Sequence, residues 1–509
     1  MRRDGMRLLA LAAIAGCTTV GGGATRATVA PPASPRQALV RAIDSMVAEP
    51  AFRNAHWGIL IVDPDRADTL YSLEAGKLFM PASNMKIITG AVALAQLGPD
   101  FRFVTTVTGR GPRRGGVLEG DLIVHGRGDP TWSDHMRTDA MIPLREMADS
   151  LASRGITRIA GRIVPGDDVF PGAIWGGGWS WDNMDDAFSA GVDELYFNEG
   201  FTRVIVKGGA RPGDPAQAIT RPARRFPALR VLAVTEPRPD SAAIPVSAVP
   251  ARRSAGSHVV LQRDSSTGGI IVAGSVAPGD SVSLDMSYAE PARALIAAFS
   301  EALTDRGIVV AGALLPPTGT IDTLFAMKSP PLREIMPPLL KPSQNQIAEI
   351  LLRTLGLERG GAGTADSGRK VAARQLTQWG ASPDGYVIRD GSGLSRYDYL
   401  SPETIVRTLA AVRRDTAFRA FYDALPIAGV DGTIRNRMRG TPAEGNLHAK
   451  TGSIANARSL SGYVTTADGR TLLFSALCNN WTVPVRDVER VQDAIGVRLA
   501  GLTLGSSSR

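Results

Sequence analysis

Two kinds of hydrophobic pattern run along this chain, and the switch between them divides it. Positions 37–48 carry apolar residues at helical spacing, and Trp57-Gly-Ile-Leu-Ile-Val62 is a short apolar run typical of a buried strand. A turn at Asp63-Pro-Asp65 leads to a second strand near 69–73. An apolar, alanine-rich helix then continues to Leu97, and Gly98-Pro99 ends it. From about 101 to 321 the character changes to glycine, proline, arginine and short alternating strands, at 103–107, 121–124, 162–164, 203–206 and 282–286. The clearest helical pattern in that stretch is 291–302. After Pro330 the helical period returns at 331–340, 346–355, 366–379, 402–414 and 485–499, with strands at 446–452, 459–464 and 471–477 before the last helix. Ser401-Pro402 supplies an N-cap followed by proline at the first helical position. Ala467-Asp468-Gly469 joins the last two strands as a hairpin.

These patterns predict an α/β (α+β) domain split in sequence, at 37–99 and 323–503. Its antiparallel sheet is flanked by helices, and a large β-rich insertion at 100–322 interrupts it. No internal repeat is visible. With 509 residues there is ample chain for several cores, and 44% hydrophobic with 21% charged residues is ordinary for a globular protein.

Charge and cysteine usage narrow the function classes. The formal charge is +8, but the 57 basic residues interleave with 49 acidic ones and form no basic stripe with aromatics, which argues against nucleic-acid binding. Five histidines lie scattered, at 56, 125, 135, 258 and 448, without metal-ligand spacing, so neither a metal nor a cofactor is expected. Met1-Arg2-Arg3, a short apolar run at 8–15 and Ile14-Ala15-Gly16-Cys17 read as a secretory signal (1–17) ending in a lipobox, with Cys17 as the lipidated residue and 18–36 as a flexible tether. A plain signal peptide with an incidental cysteine is the alternative. The expected location is exported and periplasmic, with the membrane reached only through that anchor. Cys478 is the one other cysteine and sits in an apolar run, so it reads as a buried small residue.

The candidate chemistry begins at Ser83 and Lys86. Residues i and i+3 share a helix face, so hydroxyl and amine can meet. A serine needs a base to become a nucleophile, and a lysine serves only if desolvation or a nearby cation lowers its pKa. Two further matches follow in order: Ser343-x-Asn345 between two helix patterns, and Lys450-Thr451-Gly452 followed by Ser453 in a strand. Glycine at 452 would leave the strand edge open to a substrate. Together the three form the serine–lysine acyl-transfer signature of penicillin-interacting enzymes.

The chain resembles the class C, type-4 penicillin-binding proteins, the D-alanyl-D-alanine carboxypeptidase/endopeptidase family. Supporting matches are Gly126-Arg-Gly-Asp-Pro130, Trp179-Ser-Trp-Asp-Asn-Met184, Arg389-Asp-Gly-Ser-Gly-Leu-Ser-Arg396 and Leu425-Pro-Ile-Ala-Gly-Val-Asp-Gly-Thr433, together with the large gap between Lys86 and Ser343. The resemblance implies a serine DD-peptidase acting on peptidoglycan stem peptides, with β-lactams as covalent inhibitors. It implies Ser83 as nucleophile, Lys86 as its base, Ser343 with Lys450 as the proton route to the leaving amine, and Asn345 as a substrate and Lys86 ligand. Thr451, Gly452 and Ser453 would bind substrate, and the Ser83 and Ser453 N–H groups would form the oxyanion hole. Other readings on the same fold are a β-lactamase or esterase and an inactive wall-binding lipoprotein. A class A β-lactamase is disfavoured, because no Glu-x-x-Leu-Asn lies between Asn345 and Lys450. Arg127-Gly-Asp129 reads as a turn, the tryptophans at 175, 179 and 181 as core, and Asp182 or Asp185 as a residue facing the cleft.

Overall fold

The computed structural model describes residues 34–505 apart from 223, 238–256, 265 and 317–318. Helix α1 (Pro35–Val47) starts at a reciprocal capping pair, Ser34 and Gln37. Strands β1 (His56–Asp63) and β2 (Asp68–Leu73) form a hairpin, and helix α2 (Met85–Leu97) follows. After the insertion come α3 (Leu332–Leu340), α4 (Asn345–Gly360), α5 (Ala365–Gln378) and α6 (Pro402–Val412). Strands β3 (His448–Ile454), β4 (Ala457–Thr465) and β5 (Thr471–Asn479) and helix α7 (Val485–Ala500) complete this part.

Both ends of the chain build one five-stranded antiparallel sheet, in the order β2-β1-β5-β4-β3. Both of its faces are covered, which is why its strands read as apolar runs. Trp57, Ile59 and Ile61 of β1 pack with Leu39 and Ile43 of α1 and Val488, Val491 and Ile495 of α7. Leu60 turns to the opposite face, into the larger core built by α2, α3, α4 and α6. Cys478 lies buried with the first of these cores and is free, and burial pushes its thiol pKa up. β3 ends the sheet order; among the described residues its outer edge carries one isolated bridge, His448 to Ile427.

The inserted segment forms its own sheets and cores. Val104–Arg110, Leu122–His125, Ile163–Pro165 and Ile321–Lys328 make one four-stranded sheet. Smaller sheets surround Phe201–Lys207 and Ile270–Val276. Ile321–Lys328 pairs with Val104–Arg110 over its length, so the returning chain stays in the inserted sheet as far as Lys328. A helix at Ile142–Ala152 was not expected from the sequence. Its buried Leu144, Met147, Ala148 and Leu151 have helical spacing, and Pro143 sits in the first turn, where proline is tolerated.

Candidate active site

Ser83 sits in a single 3-10 turn, Ala82–Asn84, that feeds directly into α2. Ala82 is left-handed at φ 47, a conformation that alanine adopts only when its surroundings hold it there. Strands β3 and β4 supply part of that hold. Ser459 Oγ donates to the Pro81 carbonyl at 2.7 Å, and Asn84 Nδ2 donates to the Lys450 carbonyl at 2.8 Å. A Cβ at Gly452 would overlap the Pro81 carbonyl and Ser459 Oγ and stand 3.0 Å from the Ser83 nitrogen. The glycine is therefore required by the nucleophile turn packing on β3, a closer constraint than the substrate clearance expected from sequence. Gly393 plays the same part from the other side, where a Cβ would overlap the Ala82 carbonyl.

Lys86 occupies the first turn of α2 and is fully buried. Its Nζ lies 2.9 Å from Ser83 Oγ, 2.6 Å from Asn345 Oδ1 and 2.8 Å from the Ser392 carbonyl. Burial brings its pKa down to about 7, against the opposing pull of Asp390, Glu349 and Asp398. Lys450, also fully buried, reaches Ser343 Oγ at 2.8 Å and the Thr451 carbonyl at 2.9 Å. Desolvation, with Lys86 nearby, holds its pKa well below the ordinary lysine value.

Ser343 is left-handed at φ 68 in the short link between α3 and α4, and Asn345 is the first residue of α4. Gln344 caps that helix by accepting from the Ile347 N–H. The insertion reaches in here: Asn345 Nδ2 donates to the Phe188 carbonyl at 2.7 Å, and Gln346 Nε2 donates to the Ala187 and Ala190 carbonyls. The Asn345 amide is thereby oriented with its oxygen towards Lys86. The sequence pointed to Ser83, Lys86, Ser343, Asn345 and Lys450 as one site; the structure hydrogen-bonds Lys86 to Ser83 and Asn345, and Lys450 to Ser343, beside one cleft.

A cleft of about 510 Å³ opens over Ser83, Ser343 and Asn345. Thr433, Thr451, Ser453 and Arg396 line it from the sheet domain, and Ser180, Asp182, Asn183 and Phe188 from the insertion. Thr451 Oγ1 and Thr433 Oγ1 stand 2.7 Å apart. Gly452 does not line the cleft; it packs beneath it. Of the two acids singled out by sequence, Asp182 faces the cleft, whereas Asp185 is bound by Arg263 at 2.6 Å.

A model of the D-Ala-D-Ala carboxypeptidase 3 (S13) family matches residues 39–502. The chain belongs to this family. It is similar to a D-alanyl-D-alanine carboxypeptidase of Actinomadura sp. (strain R39), 34% identical over 477 residues, covering 90% of this chain and 84% of the relative. It is also similar to the D-alanyl-D-alanine carboxypeptidase DacB of Haemophilus influenzae, 28% identical and covering 80% of this chain and 82% of that one. The solved structure of penicillin binding protein 4 (dacB) from Haemophilus influenzae has the same fold, with TM-score 0.72 and 22% identity over 87% of this chain and 94% of that one.

The stretch 389–396 was singled out in the sequence, but without a role for its backbone: the Ser392 carbonyl left no mark, because a backbone atom leaves none in a motif search. Glu349, which with Asp390 holds the loop carrying that carbonyl, had no sequence signal. Trp179 is buried and donates from Nε1 to Asp390 Oδ2 at 2.9 Å, while Trp181 is 82% exposed, so the tryptophans are not one core cluster. His448 stacks on Tyr422 with ring centroids 4.1 Å apart and is a strand-face residue. Asp129 of the Arg-Gly-Asp stretch is buried and accepts from the Thr131 N–H, as a turn residue does. Among the described residues, Asp168, Asp193 and Glu194 bring carboxylate oxygens within 4.8 Å of one another, but none of them lines the cleft. Cys17 lies outside the described residues, and among them no helix is long and apolar enough to cross a membrane.

Proposed function

We propose that this S13 chain is a serine D-Ala-D-Ala carboxypeptidase, with DD-endopeptidase action open to the same site, working on peptidoglycan stem peptides through an acyl-enzyme on Ser83. The observation that carries this reading is a hydroxyl 2.9 Å from a fully buried amine whose pKa is near 7. An amine poised near neutrality can take the Ser83 proton at the pH where the reaction runs. The Ser83 oxygen then adds to the carbonyl of the penultimate D-alanine. The N–H groups of Ser83 and Ser453 receive the developing oxyanion, a contribution of roughly 3–4 kcal/mol for each donor in comparable sites.

The tetrahedral species collapses by breaking the C–N bond to the terminal D-alanine. Ser343, 2.8 Å from Lys450 Nζ, gives its proton to the departing amine and is reprotonated by the proton that Lys86 took from Ser83, which leaves Lys86 neutral for the next step. The terminal carboxylate is held at Thr451, with Ser453 beside it in the cleft lining. Asn345 orients Lys86 and the incoming peptide backbone. Water then cleaves the acyl-enzyme ester, with Lys86 again able to take its proton. A β-lactam enters the same sequence, but its ring-opened amine stays attached, so the acyl-enzyme persists.

The domain division supports this reading as a proposal of its own: a sheet domain split around the insertion, with the insertion supplying one wall of the cleft. The sequence supports export through the N-terminal signal and anchoring through Cys17, which intact-protein mass of the membrane fraction and a Cys17→Ala variant would test.

The activity test is incubation with a stem pentapeptide ending in D-Ala-D-Ala and measurement of free D-alanine. Release that disappears in Ser83→Ala is expected. No release from the folded wild-type protein, or undiminished release from Ser83→Ala, contradicts the proposal.

A further inference from the structure

Asn345 and Glu349 are one turn apart on α4, and both serve the same amine by different routes. Asn345 binds Lys86 Nζ directly. Glu349 is 4% exposed, and its Oε1 accepts from the Gly391 N–H at 3.0 Å and the Ser392 N–H at 2.8 Å. Those two residues turn their carbonyls the other way, into α2. The Gly391 carbonyl accepts from Thr89 Oγ1 at 2.7 Å and the Ser392 carbonyl from Lys86 Nζ at 2.8 Å. Asp390 finishes the loop: its Oδ1 accepts from the Gly393 N–H at 2.6 Å, and its Oδ2 from the Ser395 N–H and from Trp179.

We propose that Glu349 is a positioning residue for Lys86: its carboxylate fixes the Ser392 carbonyl that Lys86 binds and sets the charge that the amine faces. The inference rests on the reading of Ser83 and Lys86 given above. Among the described residues, the Gly391 and Ser392 N–H groups are the hydrogen-bond partners of Glu349, with the Arg353 charge one turn further along α4. A charged group is removed from water only at high cost unless the fold uses its hydrogen bonds, and both of these hold the Lys86 acceptor. The charges around Lys86 come from several elements. Glu349 faces it from α4, Asp390 and Asp398 from the loop, and Lys450 from β3. Arg353 on α4 and Arg369 on α5 act on the carboxylates from behind.

Burial, with Asp390 nearby, pushes the Glu349 pKa up to about 7, so its charge is held above that pH and fades below it. Glu349→Gln keeps an oxygen for both backbone N–H groups and removes that charge. The lysine ammonium then costs more to form, so Lys86 stays neutral to lower pH. The acid limb of the acylation rate, followed with a fluorescent penicillin, is expected to move down, by at most about one pH unit, the size of a single fully ionised nearby charge. Glu349→Asp keeps the charge but shortens the reach to the loop. Acylation is expected to fall roughly tenfold even at alkaline pH, where Lys86 is neutral, by misplacement of the base.

A purely structural glutamate would lower the melting temperature and leave the limb where it is. An unmoved limb in Glu349→Gln, or a wild-type alkaline rate in folded Glu349→Asp, overturns the inference, and either variant decides alone if the other fails to fold. If wild-type protein itself shows no acid limb and no adduct on Ser83, the fault lies with the reading of Ser83 and Lys86. A wild-type limb with unresponsive Glu349 variants faults this inference only.

Discussion

Lys86 Nζ and Asn345 Oδ1 stand 2.6 Å apart although 259 positions separate them in the chain. The contact ties the helix that carries Lys86 to the helix that carries the insertion's contacts, so the geometry of the base depends on both. Asn345→Ala removes one of three Lys86 acceptors and also frees the Phe188 carbonyl. Acylation by penicillin should fall by about a hundredfold or more, the usual result of a base displaced by an ångström. Stopped-flow or gel-based acylation rates check this, and a variant near the wild-type rate would remove Asn345 from the mechanism.

The pH dependence follows from Lys86. Its pKa is lowered to about 7, and only the neutral amine can accept the Ser83 proton. Acylation should be close to its plateau above that value and should decline about tenfold for each pH unit below it, where the ammonium predominates. The profile of kcat/KM with a D-Ala-D-Ala peptide is the measurement. A flat profile from pH 5 to 9 would mean that some other group takes the proton.

Ser343 is the only side-chain hydroxyl placed on Lys450 Nζ among the described residues. Ser343→Ala should slow acylation by roughly 10²–10⁴, the range of a lost proton-transfer group. Lys86 has none of its hydrogen bonds to Ser343, so the acid limb should stay where it is. A limb that moves with Ser343 would show that the two serine–lysine pairs titrate as one unit.

Gly452→Ala tests the packing between the nucleophile turn and β3. The added methyl would overlap the Pro81 carbonyl and Ser459 Oγ, neither of which can retreat without breaking their own hydrogen bond. Overpacking of this kind costs about 1–3 kcal/mol, and the strain falls on the turn that presents Ser83. Lower thermal stability together with slower acylation is expected from calorimetry and penicillin labelling; unchanged values would place the glycine's importance elsewhere.

Much of this was legible in the sequence where side chains themselves carry the information. The apolar runs at β1 and β5 announced a sheet covered on both faces, and the order Ser83, Lys86, Ser343, Asn345, Lys450 announced the site. Three things were not legible, each for a physical reason. Lys86 binds a backbone carbonyl at Ser392, and backbone atoms are the same at every position. Glu349 acts through a loop some forty positions away in sequence (|i−j| = 42 and 43), which no local pattern encodes. The helix at Ile142–Ala152 has buried residues at helical spacing, but it lies in a stretch dominated by glycine, proline and short strands, and it was not singled out. Gly452 was singled out correctly but for a different neighbour, since the close contact is with the nucleophile turn rather than with a ligand.

The central claim is that Ser83 becomes acylated because Lys86, desolvated beside it, takes its proton. The most direct measurement is peptide mass mapping after brief exposure of the wild-type, Ser83→Ala and Lys86→Ala proteins to a penicillin at neutral pH. A mass increase equal to the whole penicillin on the peptide containing Ser83, absent from both variants, is the predicted result. An adduct on another residue, or full labelling of Lys86→Ala at the wild-type rate, would contradict it.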